Sequence, residues 1–173
     1  VSLGGVVVSH SIRVSGDTFD NSIVQYIKKR YNLSIGDVTA EQLKCDIGAV
    51  YFHKDITRAE INGRDMISGL PKTITVSDEI RDALSENAEE IVDAVKVALE
   101  KTPPELAADI VESGIVLAGG GAKLRGLGRL INVRTEIPVF IAEEPMECVA
   151  VGAGKALDFM QIMNRRNNGF LSL

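Results

Sequence analysis

Gly119-Gly120-Gly121-Ala122 follows the apolar run Ile115-Val116-Leu117-Ala118 and leads into a helical pattern. Residues without a Cβ let a ligand approach the main chain closely, and free N–H groups where the helix opens near Leu124 favour an anion. One glycine would serve a strand-to-helix turn, so three in a row fit a nucleotide-facing segment better than a turn alone. Gly16-Asp17 stands where a strand ends and a helix starts. Gly16 could admit a ligand and Asp17 reach it, or Asp17 could simply cap the helix, worth about 1 kcal/mol. Glu41 and Lys44 share a helix face at i, i+3, where a carboxylate can accept from ribose hydroxyls and a lysine stem can cover a base. An exposed ion pair, worth roughly 0.2–0.5 kcal/mol, is the plainer reading of those two residues. Gly152 and Gly154 fall inside a helical pattern, where each costs about 1 kcal/mol relative to alanine, and a close helix crossing is the expected compensation.

Other chemistries fail on spacing. Val149 to Lys155 ends in Gly-Lys, but valine stands where a phosphate loop needs its first glycine and Ala156 where it needs Ser or Thr for Mg²⁺. No G-x-G-x-x-G opens a helix after a strand, and no serine lies in a G-x-S-x-G elbow. Neither His10 nor His53 has a second ligand at metal spacing.

The elements that must position these residues follow from periodicity and punctuation. Val1 to Val14 reads as a hairpin turning at Leu3-Gly4-Gly5, followed by a helix with Phe19, Ile23, Ile27 and Tyr31 on one stripe and Asp17 at its N-cap. Thr39-Ala40-Glu41-Gln42 predicts a capping box that opens a second helix toward Ile47. Residues 51–76 look β-like, with Ile56 to Ile61 and Thr73 to Val76 as strands and Asn62-Gly63-Arg64 as the turn. Ser77-Asp78-Glu79 starts a long helix carrying Ile80, Leu84, Ile91, Val95 and Leu99, which Pro103-Pro104 ends. A short helix closing at Gly114, the strand into the glycines, a helix through Leu127 and Leu130, a strand Pro138–Ile141 and a final helix opened by Pro145 complete the chain. Strand and helix alternate at both ends around an α+β segment, which suggests one α/β layer carrying an insertion, split near Gly16 and Pro103.

The 173 residues are 45% hydrophobic, enough for a real core. With 19 basic against 24 acidic residues, a net charge of −5 and no block of like charge, no nucleic-acid footprint is present. Cys45 and Cys148 lack metal spacing and suit a reduced, cytosolic setting as buried or idle thiols. No apolar run is long enough to span a bilayer. The first residue is valine in mid-strand register, so the sequence is expected to be an excised piece of a larger protein.

Taken in order, Ser2-Leu3-Gly4-Gly5, Ile12-Arg13-Val14 with Gly16-Asp17 and Phe19-Asp20, Tyr26-Ile27-Lys28-Lys29, Thr39-Ala40-Glu41 with Lys44, Gly63-Arg64-Asp65, Gly69-Leu70-Pro71, Thr102-Pro103-Pro104-Glu105-Leu106 and Gly119 to Ala122 resemble the MreB/Mbl family of rod-shape-determining bacterial actins. The resemblance implies the second half of an actin-like, ribonuclease H-like α/β ATPase. Subdomain IIA would comprise 1–15 and 103–165, the inserted α+β subdomain IIB 16–102, and a mobile tail 166–173.

It also implies roles. Gly16 and Asp17 would line the ribose side of an ATP site, Glu41 and Lys44 would come from the IIB helix, and Gly119, Gly120, Gly121 and Ala122 would pass beneath the nucleotide. Under this resemblance the contact reading of Glu41 and Lys44 displaces the ion pair. Gly152 and Gly154 would cross a counterpart helix at the hinge between halves. The family's phosphate loops, Mg²⁺-organising aspartates and water-positioning residue precede Val1, so this stretch alone is not expected to hydrolyse ATP. Lys123 stands where relatives often carry an apolar residue and is assigned no contact. The implied whole is a cytoplasmic, membrane-associated filament protein that partners itself head to tail and works with cell-wall synthesis and membrane proteins. A sugar kinase or chaperone ATPase of the same superfold is the alternative.

Overall fold

The computed structural model describes residues 5–52 and 57–157. Helix α1 (Gly16–Tyr31) buries Phe19, Ile23 and Ile27 at the four-residue spacing that places them on one face. Its N-cap is Ser15, whose N–H donates to Thr18 Oγ1 at 3.1 Å, so Asp17 is not the cap but an exposed residue of the first turn. Asn32, in the left-handed region with φ 51°, ends the helix.

Strand β1 (Leu33–Ser34) is followed by α2 (Asp37–Ile47). Extended backbone at Gly36 opens α2, which puts Thr39 inside the helix rather than at its cap. Ala40, Leu43 and Ile47 form its buried stripe.

Strands β2 (Arg58–Asp65) and β3 (Pro71–Ser77) pair antiparallel from Arg58 opposite Ser77 to Arg64 opposite Pro71, and β1 adds to the other edge of β2. Asn62-Gly63-Arg64 therefore lies within a strand and is not the turn. Gly63 serves strand approach instead: a Cβ there would meet Ser34 O at 2.6 Å and Leu33 Cγ at 2.7 Å. The chain reverses at 66–70, where the Asp65 carboxylate accepts the N–H groups of Ile67 and Ser68 at 2.9 Å each and pairs with Lys72 at 3.0 Å. Gly69, at φ 75°, supplies the left-handed residue.

A single 3₁₀ turn (Asp78–Ile80) leads into α3 (Arg81–Glu100), whose Leu84, Ala88 and Val92 are fully buried. Helix α4 (Pro104–Ser113) ends at Gly114, φ 82°, and β4 (Ile115–Leu117) pairs in parallel with β5 (Val139–Ile141) across α5 (Leu127–Thr135). After a turn over 145–147, residues 148–157 are helical.

One continuous core joins these parts: Phe19, Ile23, Ile27, Leu43, Leu84 and Val92 cluster with Leu127, Leu130 and Ile131 of α5. Full burial of side chains such as these stabilises by about 1.5–3 kcal/mol each. Asn87, buried among them, is satisfied by donating to Ser22 Oγ at 2.7 Å.

The returning strand of the expected N-terminal hairpin is not formed: residues 6–15 carry no strand pairing, and of the turn Leu3-Gly4-Gly5 only Gly5, in a single β-bridge, is within the described residues, which exclude 1–4. So do His53, Ile56, Met160 and the tail over 166–173. No helix of the described residues is long and apolar enough to cross a membrane.

Candidate functional site

The start of α1, the exposed side of α2, the middle of α3 and the segment after β4 surround a cavity of about 600 Å³. That is the size range of sites for drug-sized or nucleoside-sized ligands. Gly16, Glu41, Lys44, Gly120 and Gly121 all line it, so residues more than a hundred positions apart in sequence meet at one place. Phe19, Ile91, Leu124, Leu127 and Met146 give it an apolar wall, with Lys123 and Arg125 toward the glycine side.

The three glycines divide by physical role. Gly119 has φ 81° and its N–H bonds to Pro145 O, so it is the residue that turns the chain out of β4. Gly120 and Gly121 have no positive φ, and a Cβ on either would meet nothing within 4 Å. Neither the turn nor internal packing requires them. Their lack of side chains leaves open volume in the cavity. A short 3₁₀ turn (Gly120–Lys123) follows, and α5 opens only after Gly126 at φ 82°, not at Leu124.

Not every expected site residue meets the cavity. Asp17 is exposed beside it, Gly119 sits behind the turn, and Ala122 is packed beneath with 4% exposure. Gly152 and Gly154 are exposed, and no atom lies within 4 Å of where their Cβ atoms would be. The close crossing expected of them is therefore not made by the described residues. Cys45 is exposed on the cavity wall rather than buried, and Cys148 is half-buried. His10 is exposed. Among the described residues no three His, Cys, Asp or Glu side chains gather to hold a metal.

Lys44 does not pair with Glu41 among the described residues. Its Nζ sits 2.9 Å from Asp20 Oδ2 and 2.8 Å from Oδ1, and donates to Gly16 O at 3.2 Å. The geometry makes Oδ2 the hydrogen-bond acceptor and leaves Oδ1 held by charge alone. Asp20 is the site-region residue that sequence reasoning passed over. Its signal was its position, one turn after Gly16 and beside the buried stripe of Phe19 and Ile23, where an unpaired carboxylate is costly. The ion pair ties α1 to α2 beside the cavity, while Glu41, which also lines it, is exposed.

Against this geometry, comparison with known proteins is specific. The family described as MreB/Mbl protein matches residues 1–165. The chain is 49% identical to the cell shape-determining protein Mbl of Bacillus cereus (strain ATCC 10987 / NRS 248), over 96% of this chain and 50% of that protein. It is 48% identical to the cell shape-determining protein MreB of Escherichia coli (strain K12), over 94% of this chain and 47% of that one. The chain thus spans about half the length of these relatives. The crystal structure of MreB5 of Spiroplasma citri bound to ADP superposes with a TM-score of 0.89 at 40% identity, over 95% of this chain and 50% of that one. The same protein bound to AMPPNP gives 0.88. The fold is accordingly the actin-like α/β fold expected from the sequence. With nearly its whole length matched in sequence and in structure, the chain belongs to the MreB/Mbl family.

Proposed function

We propose that this chain is the adenosine-facing half of an ATP-binding, filament-forming bacterial cytoskeletal protein that maintains rod cell shape by organising cell-wall synthesis. Gly120 and Gly121 carry the reading: side chains are absent at two positions where neither backbone conformation nor packing demands it. Their absence opens a cavity of nucleoside size. The related MreB5 is known with both ADP and AMPPNP bound, which supports the same ligand class here.

In this reading Glu41 accepts from the ribose hydroxyls, the Lys44 stem covers one face of the base, and Gly16 with Asp17 borders the ribose. Gly119 to Ala122 runs beneath the nucleotide. Phe19, Ile91 and Leu124 exclude water from the base, which strengthens the polar contacts that remain. ATP brings a phosphoanhydride whose cleavage needs Mg²⁺ and positioned water. The described residues do not fit the metal, since no carboxylate cluster is available. Those contacts are assigned to the other half of the longer relatives' length.

The same reading divides the chain into subdomain IIA, 1–15 with 103–165, and the inserted IIB, 16–102. Gly152 and Gly154 then cross a helix of the other half. Self-association is head to tail, a heterologous contact that extends rather than closes. The protein would act in the cytoplasm at the membrane, beside cell-wall synthesis and membrane proteins. Agreement with cell shape-determining proteins over 94–96% of this chain favours a cytoskeletal role over a sugar kinase or chaperone ATPase.

Calorimetry with ATP and adenosine, on this chain and on the full-length protein, tests the assignment. Adenosine should lose little on shortening, whereas ATP should lose its phosphate contacts. Equal ATP affinity for both lengths would overturn the division of labour. Sedimentation and electron microscopy of the full-length protein with ATP should give filaments, and a monomer at every concentration would overturn the cytoskeletal reading.

A further inference from the structure

Asp20 and Lys44 form a pair whose side chains are only 10% and 15% exposed, joining two helices that both contribute residues to one cavity. The ammonium is already occupied: both Asp20 oxygens and the Gly16 carbonyl take it at 2.8–3.2 Å. An ammonium so committed has little capacity left for a phosphate or hydroxyl. Lys44 also lines the cavity, and with its ammonium so anchored the four-carbon stem is the part of the side chain left to contribute contact area. Gly16 is part of the same lock through its carbonyl, which accepts from Lys44 Nζ at 3.2 Å.

Resting on the nucleotide reading above, we infer that Asp20 is a positioning residue for nucleotide binding. It immobilises Lys44 so that the lysine contributes an apolar wall rather than a charge, and it sets the gap between Gly16 and Glu41. Two predictions distinguish this from a direct charge contact. Neutralising Asp20 alone leaves a buried ammonium free to leave the wall, whereas neutralising both partners leaves the wall in place without its charges.

The test uses the full-length protein and measures the Kd for ATP and for adenosine by calorimetry, at a temperature where circular dichroism reports every variant folded. Asp20→Asn should weaken both ligands about tenfold, the loss expected when the support of a contact residue is removed. The double variant Asp20→Asn with Lys44→Met, which keeps the length of the stem, should recover to within about threefold of the parent, a difference of under roughly 0.7 kcal/mol. A purely structural pair would shift the melting temperature of Asp20→Asn and leave the Kd of the folded protein unchanged, which overturns the proposal. A double variant as weak as the single one also overturns it, because the ammonium would then be the contact. If Asp20→Asn does not fold, the double variant alone decides between recovery and loss. A parent protein that binds neither ligand would instead sink the nucleotide reading, and is distinguishable because it precedes any substitution.

Discussion

The two sheets of the molecule differ in how they are covered. The antiparallel sheet of β1, β2 and β3 lays one face on the helices, so Ile61 and Val76 are buried while their polar neighbours Glu60, Asn62 and Thr75 are exposed. The parallel pair of β4 and β5 is apolar in every residue, yet Val116 is 64% exposed, Phe140 53% and Ile141 57%. Parallel strands of this composition belong in sheets covered on both faces, and an exposed patch of them marks a surface built for cover. The comparison teaches that the two sheets share one core but unequally: the antiparallel sheet turns its apolar face onto it, whereas the parallel pair leaves part of its apolar surface uncovered by the described residues.

The sharpest way to break that contrast is a pair of truncations. Leu84→Ala in the fully buried face of α3 should cost about 2–5 kcal/mol by urea unfolding, and Val116→Ala less than about 1 kcal/mol. Similar losses at both sites would refute the asymmetry. Glycines give the next largest effect. Gly63→Ala should destabilise by about 1–3 kcal/mol, because its Cβ collides with β1 backbone. Gly121→Ala should change stability by no more than about 0.5 kcal/mol, yet weaken ATP binding by the full-length protein about tenfold. A Gly121→Ala protein that binds ATP normally would remove the cavity's main support.

Helix capping separates Ser15 from Asp17 more finely. Ser15→Ala should cost about 1 kcal/mol in thermal melts, and Asp17→Ala about 0.3–1 kcal/mol through the helix dipole alone. The smallest effect concerns the tip of the antiparallel sheet. The Ser68 N–H, the Lys72 ammonium and the Ile67 N–H hold the Asp65 carboxyl well below its ordinary value of 3.8. A depressed folded-state pKa contributes stability that is present above the ordinary value and is lost as pH falls through the lower, folded one. Carboxyl titration by NMR should therefore find the Asp65 midpoint below 3.8, with the turn loosening only in strong acid, and a midpoint at or above that value would contradict the geometry.

Much of this architecture was legible before any coordinates. The stripes of α1 and α3, the stop at Pro103, the close of α4 at Gly114 and the strand into the glycines all follow from periodicity and punctuation. Three local readings failed because tertiary contacts outranked them. Asn62-Gly63-Arg64 has turn composition, but β1 pairs there and needs the glycine for approach. Thr39 has a cap signature, but the chain leaves β1 and enters the helix two residues before it. Asp17 competes with Ser15, whose backbone N–H reaches Thr18.

The residue types at 16, 41, 44 and 119–121 determined which chemistry this protein could carry, because missing side chains and a helix-borne carboxylate and amine limit the ligands that could fit. Together with the other motifs along the chain they carried the resemblance to the MreB/Mbl family. Only the tertiary structure decided which of them meet. It gathered Gly16, Glu41, Lys44, Gly120 and Gly121 around one cavity, placed Gly119 at the turn and Ala122 beneath, and gave Lys44 to Asp20 rather than to Glu41. The physical reason is that sequence spacing constrains neighbours along one helix or strand, while a buried charge chooses its partner by three-dimensional proximity across helices.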